Sequence, residues 1–266
     1  MNCLNCGNNY EGTYCPHCGQ SAKTKRLHLI EMMKDFINSF IGGDNRFLRT
    51  CCDLFVRPGK MVGNYLLGRR IRYYNPLQMF IYTLTAYAFI SYILGVSSSI
   101  FDSVSDFDLD PNDNIGKTTL TAFLLNCMHK LYESKLYGTL FMALFAVPVY
   151  RQFFRKCKML RPDGQNSPLN FTEHFCVQIY HSCFSMLTSI ILLPLCLIKG
   201  SDMVVSVIYH TLTGVYMVAI YKQMLGIGWL KSALLNIVSA FLALICVIVF
   251  VLLIGIFIGI MDALLG

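Results

Sequence analysis

The chain has 266 residues, of which 55% are hydrophobic and only 14% charged, and its mean hydropathy is +0.52. A soluble domain of this length usually carries about a quarter charged residues, so the composition argues against a soluble globular protein. The net charge of +7 comes from basic clusters that adjoin apolar stretches, which indicates contact with a membrane surface and argues against nucleic acid as a partner.

The first 22 residues carry the strongest local motif, two Cys-x-x-Cys pairs that are each followed by glycine. Four thiolates are the donor set of a tetrahedral structural zinc site, and the predicted ligands are Cys3, Cys6, Cys15 and Cys18. With so few surrounding residues, the segment is expected to fold only when it binds metal. Disulfides are the alternative, and they require an oxidising compartment. A closed four-thiolate site predicts a structural metal and not a catalytic one.

Residues 23–75 are predicted to form amphipathic helices ahead of the membrane-spanning part. Apolar residues from Leu29 to Ile41 fall on one helical face, a second helix runs from Asn45 to Phe55, and a third from Pro58 to Gly68. Such helices lie on a membrane surface or pack on the ends of a helix bundle, and both readings stay open. The candidate lipid-headgroup contacts that follow them are Arg69, Arg70 and Arg72.

The remaining part, residues 76–266, predicts an all-α membrane protein with about five transmembrane helices. A span needs about 20 predominantly apolar residues, and the stretches that qualify are Leu77–Val96, Leu136–Phe154, Cys176–Ile198, Met203–Tyr221 and Ala233–Met261. The second is the weakest, because it is short and contains Pro148 near its end. An acidic outer loop, about residues 97–134, joins the first two spans.

The basic residues beside the spans predict the orientation, because they are enriched on the cytoplasmic side of membranes. They precede the first span, follow the second from Arg155 to Arg161 with Arg151 just before, and lie in the last loop at Lys222 and Lys231. Five spans then put the N-terminus in the cytoplasm and the C-terminus outside. The aromatic residues expected at the cytoplasmic boundary are Tyr73, Tyr74, Tyr150, Tyr221 and Trp229.

Polar residues recur along the third span at alternating spacings of four and three, which places them on one helical stripe. They are His174, Gln178, His181, Ser185 and Thr188. Polar groups at membrane depth face the bundle interior or a wet cavity. One reading is a proton or substrate path, or a buried site formed by Glu173, His174, Gln178 and His181. The other is hydrogen bonding between helices.

His210 in the fourth span invites comparison with His181. If the two spans are antiparallel around Gly200, residue 181 lies level with about residue 220. At 1.5 Å per residue, His210 is then offset by about 15 Å. A metal site made by these two histidines alone is therefore not expected.

Gly255 and Gly259 form a small-x-x-x-small pair in the fifth span. Such a pair lets another helix approach closely. The approaching helix belongs either to the same chain or to another copy, which would make a homo-oligomer through this span.

Several motifs together resemble a bacterial family of zinc-ribbon multi-pass membrane proteins of unknown function. The motifs are Cys-x-x-Cys-Gly with Tyr14-Cys15-Pro16-x-Cys18-Gly19-Gln20, then Arg57-Pro58-Gly59-Lys60, Tyr65-x-x-Gly68-x-Arg70, Tyr73-x-x-Pro76, and Glu173-His174 with His181-Ser182. The resemblance implies a shared architecture in a bacterial inner membrane. It brings no activity, because the family has none assigned.

Three function classes follow from these features, and the sequence assigns no catalytic residue. The first is a membrane-associated scaffold whose cytoplasmic zinc module docks a protein partner. The second is a small transporter or channel lined by the polar stripe. The third is an enzyme that processes lipid or isoprenoid at the cytoplasmic interface, with Glu173, His174 and the arginines acting on phosphate.

Overall fold

The computed structural model describes residues 1–22, 27–30, 32, 46–94, 145–162, 164–198 and 201–265, and these are mostly helical. Its helices are α1 (Arg46–Val56), α2 (Pro58–Leu66), α3 (Pro76–Ile93), α4 (Phe171–Cys196), α5 (Asp202–Leu225) and α6 (Trp229–Leu265). Residues 145–153 are also helical. A 3₁₀ turn (Phe154–Lys156) leads from them into an antiparallel hairpin of β1 (Lys158–Leu160) and β2 (Asn166–Pro168).

The predicted second and third amphipathic helices are confirmed as α1 and α2, whereas most of the helix predicted from Leu29 to Ile41 lies outside the described residues. Pro58 occupies the first turn of α2, where its missing N–H removes no helical hydrogen bond. After the helix ends at Leu66, Gly68 adopts a φ of 100° and donates its N–H to the carbonyl of Tyr65. Residues with a Cβ rarely adopt that backbone conformation.

Asparagine side chains begin the two helices that pack together in the centre of the bundle. The Oδ1 of Asn75 accepts a 3.0 Å hydrogen bond from the N–H of Leu77 at the start of α3. The Oδ1 of Asn170 accepts from the N–H of Glu173 (2.8 Å), and a carboxylate oxygen of Glu173 accepts from the N–H of Asn170 (2.8 Å). This reciprocal capping box fixes the start of α4, and an N-cap of this kind stabilises a helix by about 1 kcal/mol.

Three of the described helices are long and apolar enough to span a membrane. They comprise Phe171–Cys196, Met203–Leu225 and Trp229–Ile254, which coincide with the predicted third, fourth and fifth spans. Helix α3 forms where the first span is predicted, but its glutamine, threonine, serine and tyrosine residues keep it out of this set. Only residues 145–154 of the second predicted span are described, and the acidic loop lies outside the described residues.

Helix α4 packs against α3 and α5, and α5 in turn contacts α2 and α6. The closest approach of α2 to α5 depends on Gly59. A Cβ at this position would lie 2.4 Å from the carbonyl oxygen of Ile220 and 2.5 Å from the Cβ of Gln223. The N–H of Gly59 also donates to the Oε1 of Gln223 (3.1 Å), so α2 is held tightly against the end of α5.

The tyrosines expected to face lipid headgroups lie inside the protein instead. Tyr73, Tyr74, Tyr150 and Tyr221 are all buried, and only Trp229 is exposed, with the Lys222 ammonium over its ring at 4.4 Å. The tyrosine rings pack with other apolar side chains of the core. Sequence position predicted the end of the bundle at which they lie, but not that they form its core.

A buried stripe of small and polar residues on α6 faces the rest of the bundle, and the sequence reasoning missed it. Ser232 donates from its hydroxyl to the carbonyl of Val218 in α5 (2.8 Å), and Asn236 donates to the carbonyl of Ser232. Ser239 and Ala243 continue the stripe one and two turns further on. These small and polar residues recur at spacings of four and three in an otherwise apolar helix, and that pattern could have predicted a face that packs on other helices.

The starts of α3, α4 and α6 meet the ends of α5 and of the helical segment 145–153 at one end of the bundle, here called the basic end. Every lysine and arginine that the structure describes lies at this end or in α1 and α2, which pack beside it. The basic clusters that are separated along the chain are therefore brought together at one end of the bundle.

Candidate metal centre

The four predicted ligand cysteines come together in the first 22 residues. Their sulfur atoms all lie within 4.8 Å of one another. The closest pairs are Cys3 with Cys18 at 3.5 Å and Cys6 with Cys15 at 3.6 Å. Four sulfurs at about 2.3 Å from a tetrahedral zinc would lie roughly 3.8 Å apart, so this cluster already has close to the spacing of a metal centre.

Two knuckles with the same backbone hydrogen bonds build the cluster. In the first, Cys3 donates its N–H to the carbonyl of Asn8 (2.9 Å), and Gly7 donates to the carbonyl of Cys3 (2.9 Å). In the second, Cys15 donates to Gln20 (2.9 Å) and Gly19 donates to Cys15 (2.8 Å). The glycine at each turn has a positive φ, 75° in the first and 74° in the second, which explains why glycine follows each Cys-x-x-Cys pair.

The neighbouring groups of the cluster shift the pKa values of Cys3 and Cys6 in opposite directions. Burial raises the pKa of the Cys3 thiol, but backbone N–H groups of Cys6 and Asn5 and neighbouring thiols lower it more, to about 7. For Cys6, the backbone N–H of Asn8 lowers the pKa, but desolvation and the neighbouring thiols raise it more, to about 12. The neighbouring thiols therefore oppose ionisation of Cys6, and a bound cation would favour its thiolate.

The disulfide alternative does not describe this structure. All four cysteines are free thiols, and the shortest sulfur separation of 3.5 Å is far beyond a bond of about 2.05 Å. Cys3 and Cys15 are buried, and with Tyr10 they form the small core of the module. The donor set and the geometry both fit a metal ion, and the four cysteines could hold one.

The metal module, residues 1–22, is attached directly to the helical bundle through Gln20. This side chain is buried and donates from Nε2 to the carbonyl oxygen of Gly68 at 2.6 Å. Gly68 lies in the turn that follows α2. The second knuckle and the end of α2 are therefore in contact, although 48 residues separate Gln20 from Gly68 in the chain.

The segment after the module is fastened to the two N-cap asparagines. Asn170 donates from Nδ2 to the carbonyl of Leu27 (3.1 Å), and Asn75 donates from Nδ2 to the carbonyl of Met32 (3.1 Å). Both Leu27 and Met32 are fully buried in the main core. Each asparagine thus caps its own helix with Oδ1 and holds the incoming chain with Nδ2. The sequence analysis predicted neither the two caps nor their second partners, although an asparagine before each helix was the available signal for the caps.

Glu173 does not stand free as an acid or base. Arg161 binds it through two parallel hydrogen bonds, Nη1 to Oε1 and Nη2 to Oε2, both 2.8 Å, and the two side chains are buried. The Nε of Arg161 donates to the hydroxyl of Ser167 in β2 (3.0 Å). The hairpin is therefore locked onto the start of α4 by a charge-assisted pair of the strong, bidentate kind.

The other polar residues of the third span mostly bond to α5. The Nδ1 of His174 and the hydroxyl of Tyr221 are 2.9 Å apart, and the Nε2 of His181 lies 3.1 Å from the carbonyl oxygen of Thr213. Ser185 bonds to the hydroxyl of Tyr209. Among the described groups of the stripe, the Nε2 of Gln178 and the hydroxyl of Thr188 are buried without a hydrogen-bond partner. The stripe therefore acts largely as a polar seam between two helices, and a site built on it stays a prediction.

The predicted offset between His181 and His210 is wrong. Because His181 lies level with Thr213 and Ser185 with Tyr209, His210 is only about one helical turn away along the axis. Residue 181 lies level with residue 213 and not with residue 220, so the register of the two helices differs by about seven residues from the expected one. His210 is exposed on the outer surface of α5 and points away from the seam. A metal site shared by His181 and His210 is therefore disfavoured by the direction of His210, and not by a distance along the helix axis.

The candidate lipid contacts lie in the turn that the metal module touches. Arg69 and Arg72 are exposed and Arg70 is half-buried, and the Arg72 guanidinium lies 5.8 Å from the centre of the Tyr73 ring. Gly255 and Gly259 lie in α6, but their surroundings fall outside what the structure describes. Lipid contact by the arginines and pairing of copies through α6 stay predictions.

The fold and the cysteine cluster together define a class, a mostly helical protein with three apolar helices that suit a membrane and four cysteines that could hold a metal ion. The model of a family described as "Protein of unknown function (DUF3667)" matches residues 44–88, from just before α1 to within α3. The cysteine knuckles and the Glu173–His181 stretch lie outside the matched residues. No curated protein and no solved structure matches the chain.

Proposed function

We propose that this chain is an integral membrane scaffold protein that presents a structural zinc module at the cytoplasmic face of the membrane, where the module binds a cytoplasmic protein. The observation that carries the proposal is the attachment of the module to the bundle. Gln20, Leu27 and Met32 each make a buried contact with it. A zinc module joined only by a loose tether would not need any of them.

Zinc is the metal that suits the donor set. Four thiolates in a closed tetrahedral arrangement are typical of structural zinc and leave no open position for a substrate. A reducing compartment keeps thiols available to bind metal, and a cytoplasmic N-terminus would provide one. The collection of described lysines and arginines at the basic end supports the same orientation through the positive-inside rule.

The outer surface of the module supports a protein-binding role. Met1, Leu4 and Tyr14 are exposed, with Tyr14 at 66%. These apolar side chains stand on a module of only 22 residues whose shape is fixed by metal and by the bundle. Tyrosine is a frequent anchor of protein interfaces, because it buries a large area and keeps a polar tip.

The structure favours this role over the transporter and enzyme readings of the sequence. His174, His181 and Ser185 are engaged in bonds between α4 and α5, and both oxygens of Glu173 are bound by Arg161. Groups used in this way stabilise the packing of α4 on α5 and of the hairpin on α4, which a scaffold requires.

The proposal is tested first by composition and topology. Purified full-length protein should contain one zinc per chain by elemental analysis, and the variant Cys3→Ser/Cys18→Ser should contain none. A membrane-impermeant thiol reagent should fail to label the four cysteines in intact, metal-stripped cells. Labelling from outside would overturn the cytoplasmic placement of the module.

The partner role is tested by cross-linking in membranes with a matched pair of exposed tyrosines. Tyr14→Ser should keep zinc and membrane insertion but lose cross-linked partner protein. Tyr92→Ser removes a similarly exposed tyrosine from the end of α3 and should keep the partner. If deletion of residues 1–22 leaves every cross-linked protein in place, the module is not a docking platform.

A further inference from the structure

Basic residues cluster in the last turn of the helical segment 145–153 and in the chain between it and α4, and most of them are used by neither the metal module nor the bundle core. Between residues 145 and 172 the sequence has five bases, Arg151, Arg155, Lys156, Lys158 and Arg161, and one acid, Asp163. Arg161 is turned inward to Glu173. The other four bases are exposed, so the described residues of this segment present four outward-facing positive charges.

Alternate burial fixes the direction of these side chains. Phe154, Cys157 and Met159 are buried, at 1%, 5% and 5% exposure, and they anchor the 3₁₀ turn and β1 to the core. The residues between them, Arg155, Lys156 and Lys158, are exposed as a result. These three form what is called here the hairpin basic patch. Their Cα atoms span at most about 11 Å along the chain.

With the proposed membrane insertion, the patch would lie near the depth of lipid headgroups. It directly follows the last turn of the helical segment 145–153 and precedes α4, which begins its apolar span at Phe171. A 3₁₀ turn of three residues rises by about 6 Å, and the headgroup layer on each side of a bilayer is about 5–8 Å thick. Leu160, on the same outward face of β1 as Lys158, is 63% exposed, which places an apolar side chain beside the cations.

Both described carboxylates of the helices at the basic end are paired with bases outside the patch. At the basic end Asp53 is paired with Arg57 at 3.0 Å and Glu173 with Arg161 at 2.8 Å. Residues 145–162 contain no carboxylate. Three exposed cations beside an exposed leucine complement the phosphate and the first acyl carbons of an anionic phospholipid better than a zwitterionic one, whose own ammonium would be repelled.

We propose that Arg155, Lys156 and Lys158 form a binding surface for anionic phospholipid headgroups of the membrane that holds the helices. The inference rests on the membrane insertion of the proposed function, but not on zinc or on a protein partner. Each base near an anionic surface strengthens binding by about a factor of five. Loss of all three bases is therefore expected to weaken retention of anionic lipid by on the order of a hundredfold.

The test uses purified full-length protein in nonionic detergent, titrated separately with phosphatidylglycerol and phosphatidylcholine, with bound lipid counted by native mass spectrometry. The variant Arg155→Gln/Lys156→Gln/Lys158→Gln should lose phosphatidylglycerol and leave the weak binding of phosphatidylcholine unchanged. The control Arg49→Gln/Lys60→Gln/Lys231→Gln removes the same charge from exposed positions on three other helices, and it should retain phosphatidylglycerol. Equal loss in both variants would show diffuse attraction and overturn the patch.

Two further measurements separate a loss of lipid binding from a folding defect, and the lipid inference from the proposed function. If the triple variant loses helicity by circular dichroism, the pair Lys156→Gln/Lys158→Gln replaces it and should lose about 25-fold in binding, whereas unchanged binding overturns the proposal. Resistance of the wild-type protein to alkaline extraction from membranes tests insertion by itself. An inserted protein with no preference for phosphatidylglycerol contradicts only the lipid inference, whereas an extractable protein contradicts the proposed function as well.

Discussion

The side-chain amide of Gln20 donates a 2.6 Å hydrogen bond to the carbonyl oxygen of Gly68, and this bond joins the last residues of the second cysteine knuckle to the turn after α2. Gly68 takes a backbone conformation that glycine favours, with φ at 100°. That turn leads within a few residues to Asn75 and the start of α3. The position of the metal module is therefore set by the same turn that positions a central helix.

Replacing Gln20 with alanine should loosen the module without releasing its metal. The carbonyl of Gly68 would lose a buried partner, which costs about 1–3 kcal/mol, so local opening of residues 1–22 should rise by about tenfold. Hydrogen exchange measured by mass spectrometry reports that opening. Gln152→Ala changes an exposed glutamine and serves as the control. If both variants exchange alike while zinc content is unchanged, the contact does not hold the module.

A Cβ at Gly59 should separate α2 from α5. The nearest atoms would be the backbone oxygen of Ile220 at 2.4 Å and the Cβ of Gln223 at 2.5 Å, and neither can move without shifting the helix. Gly59→Ala is expected to destabilise the protein by about 1–3 kcal/mol through overpacking, seen as a lower Tm in detergent.

The control for this variant is Gly214→Ala. Gly214 also lies within a helix, but a Cβ there meets no atom within 4 Å, so the change should be neutral or stabilising by up to about 1 kcal/mol. A lower Tm for Gly214→Ala than for Gly59→Ala would contradict the packing of α2 on α5.

Local signals in the sequence predicted the parts of the fold that depend on neighbouring residues. Pro58 and Gly68 marked the limits of α2, and the four cysteines marked the metal cluster. In each case the physical cause lies within a few residues of the feature. Apolar length predicted the three membrane-compatible helices for the same reason.

The features that the sequence could not predict depend on register between distant segments. The second hydrogen bonds of Asn75 and Asn170, to Met32 and Leu27, require the fold to bring residues more than 40 positions apart together. The level of His181 against α5 depends on the register of the two helices, and the assumption that they are antiparallel around Gly200 gave the wrong offset. A hydropathy pattern contains no information on either distance.

His181→Ala should weaken the seam between α4 and α5 only modestly. The histidine makes one bond, to the carbonyl of Thr213 at 3.1 Å, and polar contacts between membrane helices contribute about 0.6 kcal/mol on average. The expected result is a small decrease in Tm with unchanged zinc content. His210→Ala, at an exposed position on α5, should leave Tm unchanged. A large, selective change in ion flux for His181→Ala in proteoliposomes would instead support the transporter or channel function.

Removing one partner of the Arg161–Glu173 pair should be far more damaging. Arg161→Met leaves the Glu173 carboxylate buried without its guanidinium, and a broken buried pair costs about 3–5 kcal/mol. Unfolding in detergent should show this loss, and limited proteolysis should cut the released hairpin. Arg155→Met, at an exposed base of the neighbouring 3₁₀ turn, is the matched control and should change neither property. Equal stability of the two variants would show that the pair does not fasten the hairpin.

The two hydrogen bonds of Asn75, the N-cap of α3 and the bond to the carbonyl of Met32, can be tested separately. Asn75→Asp keeps an oxygen that accepts from the N–H of Leu77, and aspartate is as good an N-cap as asparagine, but it removes the Nδ2 donor to the carbonyl of Met32. Hydrogen exchange around Met32 should therefore accelerate while the first turn of α3 stays protected. Asn75→Ala removes both bonds and should expose both regions. If Asn75→Asp exchanges like the wild type around Met32, the segment after the metal module is held by the burial of Leu27 and Met32 alone. The hydrogen bond from Asn75 to Met32 then does not contribute.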